Sequence, residues 1–162
     1  MKEDIEIEFI RNLQKLPGEN KQAVNKLMAW ISAPFHVKLY VFIIVVLYWY
    51  GKITKTQIFI LCSSQFVIFA IKYLVKRKRP FQSSPNVELL EPMNFDPFSF
   101  PSGHTLNAFL LSYILRKNIK VDLSILPYLV GLSRVYLGVH YPSDIIGGFL
   151  LTKIILTFSH NN

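Results

Sequence analysis

The 162-residue sequence contains a single cysteine, Cys62, so no disulfide can form within the chain. Charged residues make up only 17% of it, whereas hydrophobic residues make up 51% and aromatic residues 14%. This shortage of charge is unusual for a soluble domain and favours a membrane protein. The sequence also lacks internal repeats and low-complexity segments, and its length predicts one domain covering residues 1–162.

Acidic residues are scarce as well. The sequence has 10 Asp and Glu against 18 Lys and Arg, which gives a formal net charge of +8. The densest basic run is residues 76–79. Such a run could bind nucleic acid, anionic lipid headgroups or a phosphorylated substrate. No recognised nucleic-acid-binding motif accompanies it, so we expect no nucleic-acid partner.

Several apolar segments follow one another along the chain. Residues 39–50 lack charge but are fewer than the roughly 20 residues of a spanning helix. The segment becomes long enough if it begins near Ala33 and Lys38 extends its amine to the membrane surface. Four further apolar segments lie at 57–71, 104–115, 123–138 and 144–158. We therefore predict an all-α integral membrane protein, with about five transmembrane helices in a bundle over residues 36–160.

Residues 1–35 mix charged and apolar residues in a partly helical pattern, interrupted at Pro17-Gly18. The acidic start, with Glu3 and Asp4, is the opposite of a basic signal peptide, so we expect internal segments to direct membrane insertion. We interpret this region as amphipathic helices on the membrane surface. A cap on the bundle without lipid contact fits the pattern equally well.

The loops predict a topology. Loops 51–56 and 116–120 contain five Lys and Arg and no acid, which places them on the cytoplasmic side. Residues 80–101 contain five prolines and cannot form a long helix, so we predict a loop on the other side. Three polar clusters, at 72–79, 102–104 and 134–144, then emerge at this second side, which is the periplasm or exterior. Topology alone therefore gathers them at one membrane face.

The first cluster pairs two cations. Lys72 and Arg79 are seven residues apart, so both can lie on one face of a helix that extends past the membrane and ends at Pro80. Two stacked cations could hold two phosphate oxygens. Taken alone, the cluster is better explained as basic residues that end a spanning helix and extend to the membrane surface.

The second cluster is Pro101-Ser102-Gly103-His104, where a loop enters a helix. Ser102 is a favoured N-cap, and the free N–H groups of a first helical turn attract anions. Gly103 lets the backbone approach a phosphate closely. His104 is then a candidate acid beside a bound anion, and a structural histidine is the alternative.

The third cluster contains Arg134, His140 and Asp144. If the last helix starts near Pro142, His140 and Asp144 are one turn apart. Asp144 can then accept the proton of one imidazole nitrogen and leave the other free to attack. A buried ion pair that closes the bundle is the structural alternative, but charges at a membrane edge are costly enough to favour function.

The chain closely resembles the type 2 phosphatidic acid phosphatase (PAP2) family in three motifs: Lys72-x6-Arg79-Pro80, Pro101-Ser102-Gly103-His104 and Ser133-Arg134-x5-His140-x3-Asp144. Members of that family are integral-membrane lipid phosphate phosphatases. The resemblance covers about residues 57–160 and leaves the first 35 residues outside it.

The resemblance implies a mechanism that needs no metal or cofactor. His140 would attack phosphorus and form a phosphohistidine, and Asp144 would orient it. His104 would protonate the leaving group and then activate water. The phosphate oxygens would be bound by Lys72, Arg79, Ser102, Gly103 and Arg134. A mechanism without a metal also fits the sequence, which has no dense set of carboxylate, His or Cys residues that could be metal ligands.

The resemblance implies a lipid phosphate substrate in the bilayer: polyprenyl diphosphate, phosphatidate or phosphatidylglycerol phosphate, with lipid A or a sphingoid phosphate as alternatives. The short chain favours a bacterial-type enzyme of the inner membrane. Two other functions stay open. A haloperoxidase would hold vanadate with the same residues, and a non-catalytic lipid-binding protein would keep the charges for packing. The sequence predicts no particular oligomeric state.

Overall fold

The computed structural model describes residues 2–90 and 96–160, and these residues form helices and loops without any strand. The predicted all-α class is confirmed. The helices of the described residues are α1 (Lys2–Lys15), α2 (Lys21–Ser32), α3 (Val37–Trp49), α4 (Lys55–Val75), α5 (Pro80–Ser83), α6 (Gly103–Ile119), α7 (Leu126–Tyr136) and α8 (Pro142–His160). Short 3-10 turns lie at Gly18–Asn20 and Ala33–Phe35.

Helix α6 is the core of the bundle and packs against α4, α7 and α8. Up to Leu115 it is buried on most sides: Leu106, Ala108 and Leu110 are fully buried, and the polar Asn107 is buried with them. A helix that is covered in this way packs on protein rather than on lipid. The N-terminal end of this central helix carries Ser102 and His104 into the middle of the fold.

Two stretches of the described chain are long and apolar enough to cross a membrane, Lys55–Ser83 and Pro142–Ser159. A third candidate is the pair Gly18–Phe35 and Val37–Trp49, which is bent by 52°. Helices α6 and α7 have only 17 and 11 residues. The count of five spanning helices therefore stays a prediction.

Large apolar side chains cover the outside of the long helices. On α4 and α8 the exposed residues include Phe59, Phe66, Leu74, Ile154 and Phe158. An apolar surface of this extent is costly in water and favourable in contact with lipid tails. The exposed apolar helices thus support a membrane location.

The N-terminal helices pack on one end of the bundle. Ile10 of α1 is fully buried in a cluster with Val135 and Tyr141. The amide nitrogen of Gln14 donates to the carbonyl oxygens of Tyr136 at 2.9 Å and Glu88 at 2.8 Å. These contacts support the interpretation of a cap. Ile5 and Phe9 of α1 are still exposed, as is Leu16 just after it, so the predicted contact with the membrane surface stays a prediction as well.

The predicted continuous helix from Lys72 to Arg79 is wrong. Helix α4 ends at Val75, because Lys76 adopts the left-handed conformation with φ 52°. Arg79 is extended, and Pro80 begins α5 instead of ending α4. Beyond this end of the helix, Arg77 forms ion pairs with carboxylates of α1 and α8. The predicted loop 80–101 includes residues 91–95, which lie outside the described residues.

The two basic loops meet at one end of the bundle. The amide nitrogen of Asn118 donates to the carbonyl oxygen of Lys52 at 2.8 Å and to the side-chain oxygen of Gln57 at 2.7 Å. The three polar clusters meet at the other end, around a cavity. The structure therefore agrees with the predicted grouping of the loops and the clusters.

Candidate active site

A cavity of about 310 Å³ lies between α3, α4, α6 and α7. Six of the eight predicted site residues line it: Lys72, Arg79, Gly103, His104, Arg134 and His140. The other two, Ser102 and Asp144, are fully buried behind that lining. All three sequence clusters are thus brought to one place.

His140 is held by the first turn of α8. The helix begins at Pro142, and the Nδ1 atom of His140 lies 3.3 Å from Oδ2 of Asp144. The same carboxylate oxygen accepts the backbone N–H of Tyr141 at 2.9 Å. With a proton on Nδ1, the Nε2 atom carries a lone pair. Nε2 lies 3.5 Å from Nη1 of Arg79, on the side of the cavity cations.

The surroundings keep this imidazole neutral. Burial, and then the cations of Arg79 and Lys72, lower the pKa of His140 well below its usual value of 6.5. Both causes act in the same direction, because each disfavours the imidazolium form. At neutral pH the Nε2 lone pair is therefore available for attack on an electrophile.

Lys72 and Arg79 are buried cations that share one carboxylate. Oδ1 of Asp96 lies 3.1 Å from Nζ of Lys72 and 3.3 Å from Nη2 of Arg79. Lys72 also donates to the carbonyl oxygen of Phe98 at 2.6 Å, and Arg79 to that of Val139 at 2.8 Å. Asp96 is 40% exposed, so it is the most accessible part of this group. The Asp96 carboxylate therefore offsets part of the positive charge of Lys72 and Arg79, which would otherwise attract an anion.

Arg134 is fully buried in the last turn of α7 and lines the same cavity. Its Nη1 atom donates to the hydroxyl oxygen of Ser32, on α2, at 3.0 Å. The guanidinium group is therefore held in place from a different helix. A buried and oriented guanidinium group is well suited to bind two phosphate oxygens at once.

His104 lies in the first turn of α6, and its Nε2 atom is buried without a hydrogen-bond partner among the described residues. The ring of His36 lies beside it, with 6.0 Å between the two centroids. A buried polar atom without a partner is costly, and such atoms are rare in folded proteins. Its position in the cavity lining therefore points to a polar group that binds there.

Ser102 caps α6, as predicted. Its hydroxyl oxygen accepts the hydroxyl of Thr105 at 2.9 Å and the backbone N–H of the same residue at 3.4 Å. Its own backbone N–H donates to the carbonyl oxygen of Asp144 at 3.0 Å. Helix α8 comes very close at this point, since a Cβ atom on Gly148 would lie 2.8 Å from the Ser102 carbonyl oxygen. The cap is thereby fixed against the helix that carries Asp144.

Three residues with contacts to the site are absent from the sequence prediction. Arg77 donates to Oδ1 of Asp144 at 2.8 Å and to Oε2 of Glu6 at 2.8 Å. Asp96 lies against the cations, as described above. The basic run at 76–79 indicates that a cation contacts the site, but nothing in the run distinguishes Arg77 from the neighbouring basic residues. Glu6 and Asp96 belong to no motif and could not have been found this way.

Comparison with known proteins decides the family. A family model described as the PAP2 superfamily matches residues 53–161. The chain belongs to the PAP2 superfamily. The resemblance carried by the three motifs is thus confirmed, and the PAP2 match includes every predicted site residue.

Named relatives of this PAP2 chain come from several microorganisms. The undecaprenyl-diphosphatase of Sulfolobus acidocaldarius is 34% identical over 155 residues, covering 90% of this chain and 74% of that protein. Phosphatidylglycerophosphatase B of Bacillus subtilis is 39% identical over 72 residues, which is 36% of each chain. The bacitracin transport permease protein BcrC of Bacillus licheniformis is 32% identical, and the match covers 70% of this chain and 60% of that protein. The PAP2 chain thus matches only part of two of these relatives.

Two solved structures have the same fold. The PAP2-type phosphatidylglycerolphosphate phosphatase of Bacillus subtilis superposes with a TM-score of 0.70 at 26% identity, covering 96% of this chain and 85% of that one. LpxE of Aquifex aeolicus gives a TM-score of 0.76 at 22% identity, covering 96% and 94%. The second likeness is one of fold alone. Because each superposition covers 96% of this chain, it includes most of α1 and α2.

Proposed function

We propose that this PAP2 protein hydrolyses the terminal phosphate of a membrane lipid through a phosphohistidine intermediate on His140. The observation that carries the proposal is one cavity lined by His104 and His140, the two histidines of the motifs, and by three cations. The imidazole of His140 is held by Asp144, and that of His104 has a buried nitrogen for which the described part of the chain offers no hydrogen-bond partner. The names of two relatives, a phosphatidylglycerophosphatase and an undecaprenyl-diphosphatase, support the same reaction.

In the first half-reaction, Nε2 of His140 attacks phosphorus while the bond to the leaving oxygen breaks. Asp144 accepts the Nδ1 proton in a hydrogen bond and offsets the positive charge that develops on the ring. Lys72, Arg79 and Arg134 stabilise the charge on the phosphoryl oxygens. The backbone N–H groups of Gly103 and His104, at the start of α6, would add donors, whereas the Ser102 N–H is already bound to the carbonyl oxygen of Asp144.

His104 would serve both half-reactions. The anionic substrate favours a protonated His104, which donates that proton to the leaving oxygen as the bond to phosphorus breaks. The now neutral ring then takes a proton from water, whose oxygen attacks the phosphohistidine. Inorganic phosphate leaves, and the lone pair returns to Nε2 of His140.

The substrate would reach the cavity from the bilayer. Val37 of α3 and Phe69 of α4 both line the cavity and are also 49% and 54% exposed on the outside of the bundle. A lipid tail can therefore stay among the exposed apolar residues while the headgroup enters between these helices. Polyprenyl diphosphate, phosphatidate and phosphatidylglycerol phosphate all fit this description, and lipid A and sphingoid phosphates remain alternative substrates.

We place the cavity at the periplasmic or exterior face of the inner membrane, in a bundle of about five spanning helices. The support is the positive charge of the opposite end, where loops 51–56 and 116–120 are joined through Asn118. Basic loops of this kind stay on the cytoplasmic side.

Phosphate release by the purified protein in detergent tests the proposal. We expect turnover of at least one lipid phosphate from a panel of polyprenyl diphosphate, phosphatidate, phosphatidylglycerol phosphate, lipid A and sphingosine phosphate. Activity should persist with a chelator, because the protein cations would provide the positive charge. No release from any member of the panel would contradict the proposal, and halide oxidation with vanadate would favour the haloperoxidase alternative.

The acidic limb of the pH–rate profile should lie below pH 6.5. Protonation removes the Nε2 lone pair of His140, and its pKa is held below that value by burial and the cavity cations. The same shift affects stability. Because the pKa of His140 is lower in the folded protein than in the unfolded chain, acid protonates the unfolded chain first. The free energy of unfolding therefore decreases as pH falls below about 6.5. Values of kcat/KM for phosphate release, which report the free enzyme, check the position of the acidic limb when they are measured between acidic and neutral pH. A limb centred above pH 6.5 would be inconsistent with the site.

Replacing Asp96 with asparagine should strengthen binding of inorganic phosphate as a competitive inhibitor by several-fold, about what one partly screened charge contributes. The asparagine oxygen can still accept the backbone N–H of Phe98, but the negative charge beside Lys72 and Arg79 is lost. Asp122→Asn is a matched control. The Asp122 carboxylate accepts the backbone N–H of Ser124, two residues later, just as that of Asp96 accepts the N–H of Phe98. Equal inhibition constants in both variants would contradict the prediction.

A further inference from the structure

We infer that Glu6, on α1, is a positioning residue for the proposed reaction, and that it acts through Arg77 to hold the Asp144 carboxylate against His140. The inference rests on the proposed function and extends it. It assigns a role in the chemistry to a helix outside residues 53–161, which the family model matches.

Arg77 lies between two carboxylates. Its Nη2 atom is 2.8 Å from Oε2 of Glu6, and its Nη1 atom is 2.8 Å from Oδ1 of Asp144. The guanidinium group also lies over the ring of Tyr141, 3.7 Å from its centroid. Because Glu6 and Arg77 are about four-fifths covered, with 19% and 22% of their side chains exposed, solvent screens this pair little. The guanidinium group is therefore fixed from three sides.

Glu6 also holds the beginning of α8. Its Oε1 atom accepts the backbone N–H of Ser143 at 2.7 Å, and its Oε2 atom accepts the Ser143 hydroxyl at 3.0 Å. The first N–H groups of a helix have no partner within the helix, and a carboxylate there is favourable. Asp144 is the next residue, so Glu6 fixes both the backbone that carries Asp144 and the cation that binds its side chain.

The two oxygens of Asp144 have separate partners. Oδ1 is bound by Arg77, whereas Oδ2 is bound by the Tyr141 N–H and faces Nδ1 of His140. A carboxylate held at both oxygens cannot rotate away from the imidazole. Orientation of a catalytic histidine by such a group determines which nitrogen is free to attack.

The charge of Glu6 matters in addition to its position. With Glu6 present, the positive charge of Arg77 is shared between two carboxylates. Without it, that charge is offset by Asp144 alone, and Asp144 is less able to offset the positive charge that develops on His140. Glu6 and Arg77 are not part of the cavity lining, so substrate binding should be unaffected. The role therefore predicts a loss in kcat at constant KM.

The test compares Glu6→Gln with Glu8→Gln in the full chain. Glutamine retains one oxygen that can accept the Ser143 N–H, but it loses the charge paired with Arg77. Glu8 is exposed on the same helix, so its substitution makes the same change of charge at a neighbouring position. The substrate is the lipid phosphate that the wild-type protein hydrolyses. We expect the kcat of Glu6→Gln to fall about tenfold while its KM stays within twofold of the wild-type value. Glu8→Gln should keep the wild-type kcat and KM.

A double substitution shows whether Glu6 acts through Arg77. Glu6→Gln keeps an oxygen for the Ser143 N–H, but it replaces the oxygen that binds Arg77 and the Ser143 hydroxyl. If Glu6 acts through Arg77, the double variant Glu6→Gln/Arg77→Gln should be no slower than Arg77→Gln alone. The acidic limb of the rate profile should also move to lower pH in Glu6→Gln, since one negative charge near His140 is lost. The other charged or titratable groups around His140 are the same in both proteins: Lys72, Arg77, Arg79, Asp96, His104, Arg134 and Asp144. A merely structural role would leave the limb in place.

The inference is overturned if Glu6→Gln matches Glu8→Gln, if only KM changes, or if the losses of the two single variants multiply in the double variant. If Glu6→Gln does not fold, Glu6→Asp replaces it, because it keeps the charge but withdraws the carboxylate by one methylene. A wild-type kcat in Glu6→Asp would then overturn the inference, and a reduced kcat at constant KM would support it. A wild-type protein without any phosphatase activity would refute the proposed function instead.

Discussion

His140→Ala is expected to reduce phosphate release by at least about 10³-fold, because the variant has no atom that can form the bond to phosphorus. The imidazole is only 2% exposed, and its Nδ1 atom lies 3.3 Å from the Asp144 carboxylate. Substrate binding should change far less than kcat, since the cations of Lys72, Arg79 and Arg134 remain. Rates of phosphate release from the preferred lipid, with a binding measurement on the same preparation, check both expectations.

His36→Ala is the control for this variant. His36 lines the same cavity and lies beside His104, but it belongs to none of the three motifs. We expect it to keep kcat within a few-fold of the wild-type value. Both variants must elute as folded protein in detergent. A folded His140→Ala protein that still turns over at more than a tenth of the wild-type rate would contradict the assigned nucleophile.

His104→Asn is expected to reduce hydrolysis of a lipid phosphate by about 10²- to 10⁴-fold, the range over which general acid–base catalysis acts. The alcohol of a lipid is a poor leaving group, and protonation by His104 would remove that difficulty. An aryl phosphate with an acidic phenol needs little protonation to leave. Formation of the phosphohistidine from such a substrate should therefore be nearly normal in the variant, whereas its hydrolysis should be slow.

The dependence on the leaving group separates an acid from a residue that only binds phosphate. Rates for His104→Asn and wild-type protein are compared across a series of phosphate esters with increasingly acidic alcohols. We expect the difference between the two proteins to shrink steadily in the step that releases the alcohol. An equal loss for every ester would show that His104 binds the phosphate rather than protonating the leaving group.

The sequence predicted the residues of the cavity well because the pattern at its third cluster is local. His140 and Asp144 are four residues apart, and Pro142 between them begins α8, so helical geometry alone brings the two side chains together. Ser102 likewise predicted the start of α6. The ends of apolar segments then bring distant clusters to the same membrane face.

The missing parts of the site are contacts between residues that are far apart in the sequence. Glu6 binds Arg77 and Ser143, which are 71 and 137 residues away, and Asp96 reaches back to Lys72. Such pairs carry no periodic signal in a single sequence. The end of α4 was missed for a related reason, because a run of basic residues at 76–79 has no glycine to mark a left-handed residue, and Lys76 adopts that conformation itself.

The number of spanning helices could not be read from hydropathy because apolar residues serve two purposes here. Helix α6 is apolar since it is the buried core, with Leu106 and Leu110 fully covered by neighbouring helices. Helix α4 is apolar since it presents Phe59 and Phe66 to the outside. The sequences of α6 and α4 are both apolar, and only the packing of the two helices shows which one is a core helix and which one faces outward.

Trapping the phosphorylated enzyme tests the central claim most directly. Wild-type protein is mixed with a lipid substrate labelled in its terminal phosphate, quenched in alkali within one turnover and digested for peptide mapping. The proposed chemistry predicts an acid-labile, alkali-stable phosphate on the peptide that contains His140, and none in His140→Ala. A protein that releases labelled phosphate at full rate without any label on this histidine would contradict it.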